Sequence, residues 1–268
     1  MRKSIFTLFL TCLAFGQPIF ADEGVHLHFK HNGFVMPGDT ISKSCIQNEC
    51  QRADMLHDLE KNSVRYGMLF LDNPDHTMTL LDAGCGTGGC GILIHDTFKC
   101  HVEGFTLSSK QAEFGNSLAE QYGYRGGAAF YQGDMLNLDR PDQSYDCIWA
   151  CESTEQVQDL YKMFTEFGRV AKPGARMVIY ALCASDLNAK KQMDAYYNTN
   201  IHTFQDYLSN AEATGWTSYL QSDLTEQTAM YWNMRASSHV ATDAEKFIES
   251  KFCSRELQYY LFTFERCP

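Results

Sequence analysis

The stretch Leu81-Asp82-Ala83-Gly84-Cys85-Gly86-Thr87-Gly88-Gly89 constrains this chain more than any other. It follows an apolar run at residues 78–83 that reads as a strand, and it leads into a helical pattern. Glycines at such a place let backbone N–H groups approach a ligand closely, at a helix N-terminus on the carboxyl edge of a parallel sheet. A loop of this kind needs alternating strands and helices around it, and the chain supplies them. Further strands are expected at residues 100–105, 128–132, 145–151 and 177–184, and two late ones at 216–221 and 258–265. One helix is expected to open at Ser108 or Ser109, with Gln111 in its first turn and Gly123 as its stop. Another covers about residues 156–170 and ends at Lys172-Pro173-Gly174, where proline and glycine enforce a turn. The alternation predicts an α/β fold with a parallel sheet. No internal repeat, low-complexity tract or Gly/Ser linker interrupts it.

Read literally, Gly84, Gly86 and Gly89 satisfy the dinucleotide fingerprint, with Glu103 at about the distance of a ribose-binding acid. Spacing alone does not separate NAD from S-adenosylmethionine. The order of the downstream segments separates them. Gly133-Asp134-Met135 comes after the third strand, where an Asp can accept from an adenine amino group and a Met can pack on its ring. Tyr145-Asp146 then starts the fourth strand, and Lys172-Pro173-Gly174 precedes the fifth. This ordered set resembles the class I S-adenosylmethionine-dependent methyltransferases. The resemblance implies a Rossmann-like seven-stranded sheet with an antiparallel last strand. It also implies that Asp82, Gly84 and Gly86 face the methionine part of the cofactor, and Asp134 and Met135 the adenine. At the position of Thr106 many members carry an acid. The pattern Gly104-Phe105-Thr106-Leu107-Ser108-Ser109-Lys110-Gln111 instead resembles the branch acting on carbon atoms of lipids and isoprenoids; Thr106 and Gln111 can still hydrogen-bond a ribose, and Leu107 is expected in the cofactor site with them.

Within that branch the chain most resembles the geranyl diphosphate C-methyltransferases and related prenyl diphosphate methyltransferases. The likeness covers most of residues 55–265. It runs through Leu56-His57-Asp58-Leu59-Glu60, Gln111-Ala112-Glu113-Phe114-Gly115-Asn116, Cys151-Glu152-Ser153-Thr154, Asn200-Ile201-His202, Asp223-Leu224-Thr225 and the segment 231–238. A prenyl double bond is a weak nucleophile, so its methylation needs alignment with the donor methyl and stabilisation of a carbocation. Glu152, just past the fourth strand, suits the cation and the proton that must leave. Aromatic faces at Tyr196, Tyr197, Tyr231 and Trp232 suit the cation, and Tyr197 matches the family's aromatic position before Asn-Ile-His. Arg235, with His202 and Asn200, is the expected diphosphate site, and the resemblance implies Mg2+. The metal ligands stay unassigned. The same core acting on another lipid or small molecule is the alternative. A non-catalytic exported binding protein with this fold is the more distant one. Family members carry a His-rich aromatic segment ahead of the core, whereas this chain has Gly24-Val25-His26-Leu27-His28-Phe29.

Arg2 and Lys3 precede an apolar run at residues 5–15, and Ala21 offers a cut ahead of Asp22, so residues 1–21 read as a secretory signal. Export is therefore expected, with a cytoplasmic location as the alternative. The run is too short to span a bilayer, and no later stretch is long enough, so no transmembrane anchor is expected. Residues 22–76 read as an N-terminal helical extension or lid. Residues 77–268 read as the catalytic domain, with lid insertions near 185–215 and 224–250. Of eleven cysteines, Cys12 lies in the signal-like segment. Cys85, Cys90, Cys147, Cys151 and Cys183 fall on strands or the cofactor loop and read as buried thiols. Cys45, Cys50, Cys253 and Cys267 are the set placed to pair, and no spacing resembles a tetrahedral zinc site. The formal charge of −11 and the lack of any Lys/Arg block exclude a nucleic-acid partner. The expected partner is a small-molecule prenyl diphosphate, and a homo-oligomer stays open.

Overall fold

A computed structural model describes Leu27, residues 31–36 and residues 48–267. The signal-like segment, most of the Gly24 to Phe29 series and Cys45 lie outside the described residues. The chain runs α1 (Glu49–Met68), β1 (Thr79–Ala83), α2 (Gly89–Phe98), β2 (His101–Thr106), α3 (Ser109–Gln121), β3 (Ala128–Gln132), β4 (Tyr145–Cys151), a 3-10 turn (Thr154–Gln156) and α4 (Leu160–Val170). It continues through β5 (Ala171–Ala184), α5 (Leu187–Tyr197), α6 (Phe204–Ala213), β6 (Trp216–Asp223), α7 (Thr225–Ala236), α8 (Asp243–Cys253) and β7 (Leu257–Arg266).

All seven strands form one sheet in the order β3-β2-β1-β4-β5-β7-β6. Neighbours from β3 to β5 are parallel, and β7 is antiparallel to both β5 and β6. The direction of the order reverses between β1 and β4, which opens the ligand crevice at their carboxyl ends. Central strands buried on both faces read as continuous apolar runs, as in Ile148, Trp149 and Ala150, all without exposure. The predicted turn at Lys172-Pro173-Gly174 lies inside β5. Tyr145 pairs with Ala171 and Cys147 with Arg176, so the intervening residues bulge, with Gly174 at φ +78°. Lys172 is drawn along β4 by an ion pair to Asp146 at 2.8 Å, which keeps the segment extended.

Cys85, Cys90, Cys147 and Cys183 are buried and Cys151 partly so, as free thiols. Cys50, Cys253 and Cys267, expected to pair, are exposed and also carry free thiols. The residue positions are the physical reason: Cys253 closes α8 and Cys267 follows β7, each engaged locally, with Glu249 and Thr217 respectively. No described helix is long and apolar enough to cross a membrane.

Helices approach the sheet closely where glycines permit. A Cβ on Gly88, Gly104 or Gly115 would come within 2.7, 2.5 and 2.9 Å of the Phe130 ring, so one aromatic ring fills the space of three missing side chains. Helix α1 uses the same device at Gly67, where a Cβ would sit 2.5 Å from Trp149 and 2.9 Å from Tyr180. Neither ring is free to give, because Trp149 is fully buried and Tyr180 donates its hydroxyl to Ser63 O at 2.6 Å. Gly67→Ala gains about 0.5–1 kcal/mol of helix propensity and loses about 1–3 kcal/mol to overpacking. We therefore expect net destabilisation near 1 kcal/mol, read as a lower urea midpoint at unchanged slope. A midpoint at or above wild type would show that α1 is not seated on the sheet in this way.

Candidate active site

The loops after β1 and β4 meet in the crevice. Gly84, Gly86 and Gly88 have φ of +77°, +54° and +86°, left-handed conformations that favour glycine. A Cβ on Gly84 would lie 2.2 Å from the Ser153 Cβ, and the Ser153 hydroxyl donates to Ala83 O at 2.6 Å. The two loops are thereby fastened together. Nothing lies within 4 Å of where a Gly86 Cβ would sit, so the loop presents open space beside the N-terminus of α2. Asp82 is 2% exposed, and its Oδ2 closes no hydrogen bond. Burial first, then the neighbouring Cys90, pushes its carboxyl well above the ordinary value, while the Gly91 N–H and His31 pull the other way.

At the end of β2, Thr106 is buried and its hydroxyl donates to Gln111 Oε1 at 2.7 Å, while Leu107 stands 73% exposed on the rim. Glu103 is not a ribose acid. It accepts from Arg140 at 2.8 Å and from the Tyr145 hydroxyl at 2.7 Å, three residues short of the strand end. After β3, Asp134 is exposed and its Oδ1 caps a turn through the Leu136 N–H at 2.9 Å, while Met135 packs on the core.

Glu152 follows β4 with φ +50°, a left-handed value that costs a non-glycine residue about 1–3 kcal/mol. Its N–H donates to Tyr180 O at 3.0 Å. Its Oε1 accepts from the Asn32 N–H at 2.5 Å and from the Tyr259 hydroxyl at 2.6 Å. Burial raises the Glu152 pKa, opposed by His31, Tyr259 and Asn32. Asn32 is itself anchored, since its carbonyl accepts from Ser63 of α1 at 2.7 Å. His31 is raised to about 9 although burial works against its charged form, because Cys90 and Glu152 favour the imidazolium. Cys90 is drawn below the usual thiol range by Cys151, and then by His31 and Trp149.

Residues of the segments expected to form a lid make a second group. Tyr231 is buried and donates to Glu60 Oε1 at 2.8 Å. Arg235 donates to the Tyr231 hydroxyl at 3.0 Å and to Glu245 Oε1 at 2.8 Å, with its guanidinium 5.3 Å from the Trp232 ring centroid. Tyr197, half-exposed at the end of α5, lies in the field of Glu245 and Arg235, and burial first raises its hydroxyl. Tyr196 packs on it and on Phe247. The structure thus brings Tyr197, Tyr231, Trp232 and Arg235 together, though Arg235 is already paired. Asn200 and His202 join other partners. The Asn200 amide donates to Val157 O at 3.2 Å and accepts from Lys190 at 3.1 Å, and His202 Nε2 bonds Val157 O at 2.8 Å. These bonds stitch the segment before α6 to the 3-10 turn.

Several further site residues lie outside every sequence motif: His31, Asn32, Glu155 and Tyr259. Glu155 is 5% exposed and accepts from the Leu182 N–H at 2.7 Å, and burial, then Glu152, raises it to about 8. Its only sequence signal is a second acid three residues after Glu152.

Residues 74–236 match the family model described as a methyltransferase domain. The chain is 34% identical over 216 residues to the geranyl diphosphate 2-C-methyltransferase of Saccharopolyspora erythraea, covering 79% of this chain and 75% of that one. The geranyl diphosphate C-methyltransferase of Streptomyces coelicolor, solved with Mg2+, geranyl diphosphate and S-adenosyl-L-homocysteine, superposes with a TM-score of 0.85 at 29% identity over 91% of this chain and 94% of that one. A probable tocopherol O-methyltransferase of Oryza sativa is 30% identical over 223 residues, 78% of this chain and 60% of that protein. The chain belongs to the class I methyltransferases, in the family of the geranyl diphosphate 2-C-methyltransferases.

In this methyltransferase Glu155 links the site to pH. Its folded pKa is about 8 against an ordinary 4.5, so the native state holds an extra proton between those values. The stability this contributes is present below about 4.5 and is lost as pH rises through about 8. Glu155→Gln mimics the protonated form and keeps an acceptor for Leu182. Its melting temperature should fall less than that of wild type between about pH 5.5 and about pH 8.5. Parallel melting curves for the two proteins would remove Glu155 as the titrating group.

Proposed function

We propose that this methyltransferase uses S-adenosylmethionine to methylate an alkene carbon of a prenyl diphosphate. The observation that carries the proposal is Glu152, a half-buried carboxylate with a raised pKa, set at the carboxyl edge of β4 beside the glycine loop. When bound, S-adenosylmethionine supplies an electrophilic methyl group on a sulfonium. The chain has a place for it. Open space at Gly86, the bare N-terminus of α2 and the unsatisfied Asp82 Oδ2 fit the methionine end. Thr106 and Gln111 fit the ribose, and Asp134 with Met135 the adenine.

Glu152 then acts on the acceptor. Its charge stabilises the cation left when an alkene accepts a methyl group, and its basicity removes the proton that restores the double bond. The Asn32 and Tyr259 donors hold one oxygen in place, so the carboxylate is oriented before the acceptor arrives. Faces of Tyr197, Tyr231 and Trp232 add about 0.5–2 kcal/mol each where they meet the cation.

Magnesium fits less directly. Among the described residues, the His/Cys/Asp/Glu cluster of metal-binding dimensions is His31, Cys90 and Cys151, whose soft donors do not suit Mg2+. The described residues thus offer no His/Cys/Asp/Glu cage of hard ligands for the ion.

One observation favours a neutral prenyl-lipid acceptor: Arg235 is already neutralised by Glu245 at 2.8 Å. Arg235→Ala separates the two, raising the KM of a diphosphate substrate about tenfold or more, as loss of a charge-assisted bond requires, and leaving a neutral lipid's KM near wild type. Product mass spectrometry with panels of prenyl diphosphates and prenyl quinols identifies the acceptor.

Glu152→Gln keeps the shape and an acceptor oxygen but loses charge and basicity. We expect turnover to fall by about 10² to 10⁴, while S-adenosylhomocysteine affinity, measured by calorimetry, stays within a few-fold. Near wild-type turnover would reduce Glu152 to a structural role, and lost cofactor affinity would move it to the other subsite.

A further inference from the structure

Three side chains that take no direct part in methyl transfer meet behind Glu152. His31 comes from the N-terminal segment, Cys90 from the first turn of α2 and Cys151 from the last position of β4. One ligand atom from each, an imidazole nitrogen and two sulfurs, lies within 4.8 Å of the others. His31 and Cys90 are buried and Cys151 nearly so. We propose that His31, Cys90 and Cys151 form a binding site for a thiophilic divalent ion, Zn2+, which pins the N-terminal segment to the cofactor loop and to β4.

The dimensions suit such an ion. Metal–sulfur bonds of about 2.3 Å and a metal–nitrogen bond of about 2.0–2.1 Å, arranged tetrahedrally, separate neighbouring ligand atoms by roughly 3.4–3.8 Å. The observed cluster closes to that spacing with small side-chain movements. The donor set suits it too, because thiolates and imidazole select zinc over magnesium or calcium. Cys90 sits at a helix N-terminus, whose dipole favours a thiolate. Binding takes up one Zn2+ and releases two protons from the His31, Cys90 and Cys151 cluster to solvent, ending with two thiolates and a neutral imidazole and with no change of oxidation state. Two thiolates balance the charge of the ion, which suits a site set below the protein surface. Three protein ligands leave the fourth coordination position to water.

The site has a consequence for its neighbours. Asn32, which donates to Glu152, directly follows His31, so a bound ion would hold in place the donor that orients that carboxylate. The proposal does not depend on which acceptor is methylated.

The test uses the full chain with Cys12, Cys45, Cys50, Cys253 and Cys267 changed to Ser, stripped of metal by a chelator under reducing conditions and titrated with Co2+. We expect about one equivalent to bind, with a sulfur-to-cobalt charge-transfer band and the visible bands of a tetrahedral site, both abolished by Zn2+. Cys90→Ser and Cys151→Ser should remove the charge-transfer band or cut it by about half, and His31→Ala should weaken binding about tenfold or more. S-adenosylhomocysteine calorimetry reports whether each variant is folded. Where a cysteine variant is not, the parent titration and His31→Ala decide. A folded parent that gives no charge-transfer band overturns the proposal. So does a band unchanged in folded Cys90→Ser and Cys151→Ser, or a Cys90–Cys151 disulfide in the protein purified without reductant.

Discussion

A half-buried carboxylate at the end of β4, Glu152, organises this molecule. Burial pushes the Glu152 carboxyl above its ordinary range, toward the protonated form that cannot act as a base. Its charge is supported by a hydroxyl from β7, a backbone N–H from the N-terminal segment and the nearby His31. Hydrogen bonds to a charged group contribute about 1.5–3 kcal/mol each, enough to offset the left-handed backbone at Glu152. Parts of the chain more than a hundred residues away on either side must arrive correctly before this one side chain is usable.

The cofactor side is organised differently. There the backbone is the functional surface, and side chains serve to bring it close. Ser153 fills the space that a side chain on Gly84 would need, and Phe130 does the same for Gly88 on the opposite flank. The crevice is thus a gap between two loops that cannot move apart without breaking the Ser153 to Ala83 bond.

The sheet was legible because its parallel strands are short runs rich in apolar residues, so 128–132 and 145–151 coincide with β3 and β4. The Lys172-Pro173-Gly174 turn misled, because proline and glycine fit a bulge inside a strand as well as a loop between elements. In the site, residues carried on motif segments were legible: Asp82, Gly84, Gly86 and Glu152 converge on the crevice. Arg235 lies where the lid was expected, but its pairing with Glu245 is a contact between α7 and α8 that no spacing announces. His31, Cys90 and Cys151 show the same limit. Their separations of 59 and 61 residues look like no metal motif, and only the docking of a segment, a helix and a strand makes them neighbours.

The position of β7 between β5 and β6 bears on how the molecule is made. Strand β6 leaves the ribosome first, yet its hydrogen-bonding partner has not been synthesised. Until β7 inserts, β5 and β6 each present an unpaired edge, a template for joining another chain. The strand that closes this gap also delivers Tyr259 to Glu152. Pairing of the facing edges of β5 and β6 and completion of the acid–base site are therefore one late event in biogenesis, so a chain stalled before β7 is both prone to associate and chemically unfinished.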